Sequence, residues 1–288
     1  MDHSIKVGVS MSKVFSSFNF LTVINLSYTK LENEGAIAFV NALKSSAPSL
    51  EVIELAGNNI TDEAAPAIAA CLAAKRHLKK LNLSQNDLED EGCVDIVEKN
   101  EGAIAFVNAL KSSAPSLEVI ELAGNNITDE AAPAIAACLA AKRHLKKLNL
   151  SQNDLEDQGC VDIVESMEDL ELEYVDMSYN KLTRGGALNL AHIVVTKESL
   201  KMLNIDGNMI SIRGIEEVKE VFKNCPKLLG PLDEMQNDSF GEDYEDYEEN
   251  YEDYEDYEGN YVDDDDDLRE WNDLEDFEDE FVSYFIYY

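Results

Sequence analysis

The chain has 288 residues, enough for one or two domains, and a formal net charge of −36. The charge is lopsided: from Asp233 onward there are 26 acidic residues and one base, Arg269, whereas the rest carries 33 acidic and 22 basic residues. Such a balance argues against nucleic acid as a partner, because displacing the counterions of a phosphate backbone takes positive charge.

In chain order, residues 1–20 form an irregular N-terminal segment. Its start, MDHSIKVGVSMSKVF, lacks the continuous apolar core of a secretory signal. Val14, Phe15, Phe18 and Phe20 are expected to pack against the first strand. From Leu21 a pattern begins: LTVINLSYTKL, then LEVIELAGNNI at Leu50 and LKKLNLSQNDL at Leu78. The last two strings return at Leu117 and Leu145, followed by LEYVDMSYNKL at Leu172 and LKMLNIDGNMI at Leu200. All fit LxxLxLxxNxL, the leucine-rich-repeat signature, with Thr29 replacing the asparagine in the first. The centre of each string predicts a short parallel strand with two side chains in the core, such as Ile53 and Leu55. The asparagines Asn58, Asn86, Asn125, Asn153, Asn180 and Asn208 form the expected structural ladder. Their amides would satisfy buried backbone groups of neighbouring turns.

Helical stretches follow the strings: EGAIAFVNALKSSAP, EAAPAIAACLAAKRH, EGCVDIVE, GGALNLAHIVV and GIEEVKEVFKNC carry apolar residues at three- and four-residue spacing. Thr61-Asp62 and Thr128-Asp129 are helix-start signals. The string starts lie 29, 28, 39, 28, 27 and 28 residues apart. Repeats of that length leave room for a whole helix each. The expected fold is therefore an α/β leucine-rich-repeat solenoid of the long, ribonuclease-inhibitor type, spanning 21–232, with parallel strands on the concave face and helices on the convex face.

The 39-residue interval marks a duplication. Residues 33–98 return as residues 100–165 with one change, Glu91 to Gln158. A copied unit of 67 residues is not a multiple of 28, so about eleven extra residues must bulge or lengthen a helix at the join. The block reads as an unequal duplication or as an artefact of the gene model. LLGPLDE closes the solenoid. Residues 233–288 then read as an acidic, Tyr-rich tail of low complexity, expected to be disordered. Leu268, Trp271, Leu274, Phe277 and Phe281 have the spacing of an amphipathic helix formed on a partner. FVSYFIYY ends the chain as an apolar run.

The candidate partner-binding strip is the middle row of the concave face: Asn25, Glu54, Asn82, Glu121, Asn149, Asp176 and Asn204. Adjacent parallel strands would stack these residues into a polar, partly anionic surface, suited to a basic partner. The alternation of amide and acid also avoids adjacent like charges, which is a structural reason for the same pattern. The row Glu51, Lys79, Glu118, Lys146, Glu173, Lys201 alternates in sign and can pair between repeats. The KRHLKK clusters at 75–80 and 142–147 would complement helix dipoles.

Catalysis finds little support. His3, His77, His144 and His192 show no metal spacing and no nucleophile beside them, and no phosphate-binding glycine loop occurs. No catalytic residue, metal or cofactor is expected. The five cysteines include no CxxC pair, which suits a reducing compartment. No apolar run reaches the length of ~18–20 residues that spans a membrane.

The strings SAPSLEVIELAGNNIT, HLKKLNLSQNDLEDEG, VDMSYNKLTRGGALNLA and LKMLNIDGNMISIRGIEEV, then KLLGPLDE and an acidic tail, resemble the last repeats of plant Ran GTPase-activating proteins. The resemblance covers about residues 20–232. It implies binding of the small GTPase Ran and stimulation of its GTP hydrolysis in nucleocytoplasmic transport. The chain would then be a GTPase activator rather than an enzyme itself, in the cytoplasm, with the nucleus or nuclear envelope as further locations. The family's early repeats and amino-terminal targeting domain have no counterpart here, so impaired activity is expected and no activating residue carries over. A different class of function fits the same residues: a non-catalytic interaction scaffold for a basic partner.

Overall fold

The computed structural model describes residues 20–89, 114–167 and 170–233. The chain divides into two units, Met1–Tyr244 and Glu245–Tyr288, and the second lies wholly outside the described residues. So do the tail expectations, the residues Val14, Phe15 and Phe18, and the join of the duplication.

Seven three-residue strands form one parallel sheet in chain order. They are β1 (Val23–Asn25), β2 (Val52–Glu54), β3 (Lys80–Asn82), β4 (Val119–Glu121), β5 (Lys147–Asn149), β6 (Tyr174–Asp176) and β7 (Met202–Asn204). Parallel neighbours need crossover connections, and helices supply them. The described helices are α1 (Glu32–Lys44), α2 (Ala65–Leu72), α3 (Ala132–Leu139), α4 (Asp157–Glu165), α5 (Arg184–Val194) and α6 (Ile212–Val221). The molecule is an α/β leucine-rich-repeat solenoid.

The register explains why leucine recurs. Ile24, Ile53, Leu81, Ile120, Leu148, Val175 and Leu203 pair in one unbroken row, and all are buried. Two residues on, Leu26, Leu55, Leu83, Leu122, Leu150, Met177 and Ile205 form a second buried row. Helix faces such as Phe39, Val40 and Leu43 of α1 close this core from the other side. Burying one such side chain contributes about 1.5–3 kcal/mol over leaving it exposed. The row crosses the long interval undisturbed, with Leu81 opposite Ile120.

Two expectations need correction. EAAPAIAACLAAKRH is not one continuous helix. A 3-10 turn over Asp62–Ala64 precedes α2, with Thr61 Oγ1 accepting from Glu63 N at 3.3 Å. Pro66 has no N–H to donate, so it sits at the helix start. The helix stops at Leu72 because the chain must turn to bury Leu78 ahead of β3, leaving Lys75, Arg76 and His77 in the turn and Lys80 at the start of β3. Second, Phe20 does not pack against the first strand. It is 94% exposed, and Leu21 takes the partly buried place against the core. At the far end, LLGPLDE covers the sheet edge through one bridge, Leu203 to Leu229. Leu203 N donates to Leu228 O and Gly230 N to Leu203 O, each at 2.7 Å.

Candidate interaction face

Along a strand, alternate side chains point to opposite faces, so the residue after each core position looks away from the helices. The register sets Asn25, Glu54, Asn82, Glu121, Asn149, Asp176 and Asn204 side by side, bringing all seven together. An open groove of about 540 Å³ runs over the first five, with Ser27, Tyr28, Ser84, Gln85 and Gln152 also lining it.

The acids of this row are internally compensated. Lys80 Nζ lies 2.8 Å from Glu54 Oε1 and 3.9 Å from Glu121 Oε2. Lys147 Nζ lies 3.2 Å from Glu121 Oε1. Asn25 Nδ2 donates to Glu54 Oε2 at 2.5 Å. The hydrogen bond to Glu54 holds the Lys80 ammonium above its usual pKa, against partial burial and with help from Glu121. Asp176 accepts instead from Ser178 N at 3.0 Å, Ser178 Oγ at 2.6 Å and Asn204 Nδ2 at 3.2 Å. The face is therefore closer to a neutral polar surface than its acids alone suggest. Lys80 and Lys147, expected with the KRHLKK clusters at helix ends, belong instead to this face as the first residues of β3 and β5. Their signal was present: each sits two residues before a row member, on the same face of its strand.

The amides of the row are also anchored locally. The Oδ1 atoms of Asn25, Asn82 and Asn149 accept from the N–H two residues on at 2.9 Å, and that of Asn204 at 3.2 Å. This leaves Nδ2 of each to face outward or sideways. Along the rim from β1 to β5, glycine alternates with larger residues. Gly124 has φ +62°, and a Cβ there would lie 2.4 Å from Gln85 Nε2. The bare glycine lets Gln85 reach over its repeat to Gln152, donating to Oε1 at 2.7 Å. Tyr28 lies over Gly57 in the same way.

The asparagines below the rim tie the turns together. Asn58 donates to Leu26 O at 2.8 Å, Leu55 O at 2.9 Å and Ala56 O at 3.2 Å. Its Oδ1 accepts from Thr29 N and Leu31 N at 3.1 Å. Asn86, Asn153, Asn180 and Asn208 make corresponding contacts between repeats. Asn125 donates as the others do, but its buried Oδ1 has no partner among the described residues. On the flank, Lys79, Lys146 and Lys201 pair with Glu51, Glu118 and Glu173 at 2.9, 3.3 and 2.5 Å.

Of the basic cluster, Lys75 does something the sequence did not disclose. It is 1% exposed, and its Nζ donates to Leu43 O at 2.6 Å and Ser46 O at 2.5 Å. It caps the carboxyl end of α1, the helix of the preceding repeat, and burial lowers its pKa. Cys71, Cys138 and Cys160 are buried, and burial pushes the Cys71 thiol up to about 11. Among the described residues no cluster of three or more His, Cys, Asp or Glu is placed to hold a metal. No helix among them is long and apolar enough to cross a membrane.

The Leucine Rich repeat family model matches residues 19–40, 46–69, 74–97, 113–136 and 141–164. Over 147 residues, 50% of this chain, the sequence is 60% identical to RAN GTPase-activating protein 2 of Arabidopsis thaliana, covering 27% of that protein. It is 42% identical to RAN GTPase-activating protein 1 of the same plant, over 51% of this chain and 27% of that one. A ribonuclease inhibitor of Mus musculus is 26% identical over 76% of this chain and 46% of its own length. The chain thus spans about a quarter of the plant relatives, 27% in each case.

Proposed function

We propose that this leucine-rich-repeat solenoid, similar over half its length to plant Ran GTPase-activating proteins, binds the small GTPase Ran and promotes its GTP hydrolysis. The observation that carries this reading is the 60% identity over 147 residues. Identity at that level extends to exposed positions, beyond the buried leucines that any repeat of this type shares. The role is that of an activator in the cytoplasm, serving nucleocytoplasmic transport. GTPase activation works by orienting the attacking water and stabilising charge on the transferred phosphate. A rigid polar face suits the docking that must come first.

The row from Asn25 to Asn204 is the proposed contact surface. Charge reversal in its centre tests it with little effect on the core, because Glu121 lies on the outer face of β4 and its ion pairs are partly exposed. Titrating GTP-loaded Ran with the intact chain should show saturable binding, and Glu121→Lys should weaken it at least tenfold. Single-turnover hydrolysis on the same samples should run faster than on Ran alone. Absence of Ran binding at ~100 μM, where binding energy falls below about 5.5 kcal/mol, would sink the proposal.

A second reading is a non-catalytic scaffold for a basic partner. The match to a ribonuclease inhibitor over 76% of the chain favours it. The Lys80 and Lys147 pairs weigh against a strongly basic partner, since they already neutralise Glu54 and Glu121.

A further inference from the structure

The helix-to-strand turns of a parallel solenoid all emerge on one edge. Among the described residues that edge carries bases in the turns before β2, β3 and β5. Lys44, Arg76, His77, Arg143 and His144 are exposed there, and Arg76 and Arg143 form no ion pair among the described residues. The acids beside these turns, Glu51 and Glu118, are taken up by Lys79 and Lys146. The opposite edge is acidic, with Asp62, Glu63, Asp129 and Glu130 at helix starts. Helix dipoles explain cations near helix ends in general, but not their rigid presentation.

That presentation is built. Lys75 points inward and is fixed on Leu43 O and Ser46 O. Its backbone closes the turn on both sides, Lys75 N donating to Leu72 O at 2.9 Å and Leu78 N to Lys75 O at 3.3 Å. Arg76 and His77 stand outward on that anchored turn. The second copy repeats it, with Lys142 also 1% exposed and Lys142 N to Leu139 O at 2.7 Å. Arg76 precedes β3 and Arg143 precedes β5, two strands away. At ~4.8 Å per strand, the two strands that these turns lead into stand roughly 10 Å apart. In a peptide in the polyproline II conformation, with three residues per turn, residues i and i+3 lie on one side at about 9.3 Å, close to that distance.

We propose that this edge docks an acidic peptide segment of a partner protein, laid across the repeats with carboxylates three residues apart on Arg76 and Arg143. Guanidinium groups favour carboxylates through paired N–H donors. The chain's large negative charge does not forbid this, because charges beyond ~10 Å are largely screened at 0.1 M salt. The docking is independent of the face proposed for Ran.

The test is fluorescence anisotropy on the intact chain at 0.1 M NaCl, with a labelled peptide bearing glutamate at every third position between serines. A peptide of equal composition, with its glutamates clustered at one end, is the comparison. The spaced peptide should bind at least threefold tighter than the clustered one. Arg76→Glu with Arg143→Glu should weaken it at least tenfold, and Lys30→Glu on the opposite edge should change it less than twofold. Circular dichroism of each variant checks that the exposed substitutions leave the fold intact. Unchanged binding by the double variant overturns the proposal, as does equal affinity for both peptides. Tighter binding of a single-stranded oligonucleotide of equal charge overturns the choice of partner.

Discussion

At the scale of single residues, the ladder asparagines do work that no apolar residue of similar size can. Asn58 pairs two buried or half-buried N–H groups, of Thr29 and Leu31, that have no other partner among the described residues, and adds a second donor to three carbonyls already bonded by Thr29 Oγ1, Asn86 Nδ2 and Tyr28 N. Leaving one such group unsatisfied costs about 1–3 kcal/mol. With two such groups left unpaired, Asn58→Leu should destabilise by at least ~2 kcal/mol, read from the urea midpoint at constant slope. Asn125→Leu removes three donated bonds but no accepted ones, since Oδ1 has none to lose among the described residues. It should cost at least ~1 kcal/mol less than Asn58→Leu, by the same magnitude per group. Equal losses would mean that the Asn125 acceptor is satisfied in solution. The repeated string alone could not have separated the two positions, because Asn58 and Asn125 sit in identical copies of it. What differs is the spacing to the preceding turn, 28 residues on average elsewhere and 39 here.

At the scale of elements, the starts of α4 and α5 are each capped by the repeat before. Asp129 Oδ1 accepts from Glu156 N at 2.7 Å and its Oδ2 from Gly159 N at 2.9 Å. Asp157 does the same one repeat on, accepting from Thr183 N at 2.7 Å and Gly186 N at 3.1 Å. These carboxylates satisfy first-turn donors that a helix cannot pair internally, and their charge suits the dipole. The glycine is part of the device: a Cβ at Gly186 would sit 2.2 Å from Asp157 Oδ1. Its neighbour Gly185 has nothing nearer than 3.8 Å. Alanine is the better helix former by about 0.8–1 kcal/mol. Gly185→Ala should then raise the melting temperature, whereas Gly186→Ala should lower it by displacing the cap. A rise in both would refute the capping role. Leucine spacing made the strands and core rows legible, because burial on a pleated strand demands it. The facing row followed from the same period of two. The caps were not legible: each joins residues 26–30 positions apart, with only a glycine in the helix's first turn as a trace. Nor was the buried Lys75, which looks like any other member of a basic run.

At the scale of the whole molecule, stability in a solenoid is close to a sum over repeats and their nearest-neighbour interfaces. The weakest interface then decides where the stack opens first. The β3–β4 interface keeps its strand bonds, with Leu83 N on Glu121 O at 2.9 Å and Gln85 N on Ala123 O at 2.6 Å. Among the described residues it lacks the ladder's accepted bonds at Asn125, which the β4–β5 interface retains: Asn153 Oδ1 accepts from Asn125 N at 2.9 Å and Ile127 N at 3.1 Å. The duplication supplies an internal control. Leu83 and Leu150 have identical sequence neighbours, as do Gln85 and Gln152, so their intrinsic exchange chemistry is the same. Any difference in protection reports the tertiary interface alone. Leu150 N bonds to Asp176 O at 2.8 Å and Gln152 N to Ser178 O at 2.9 Å, across a junction of ordinary spacing. Native-state hydrogen exchange, followed by NMR so that the two copies are resolved, should show Leu83 and Gln85 exchanging faster than their counterparts. At ~1.4 kcal/mol per tenfold in rate, one or two missing ladder bonds correspond to about tenfold. Equal protection would place the two junctions on the same footing and make the copied block a seamless extension of the stack.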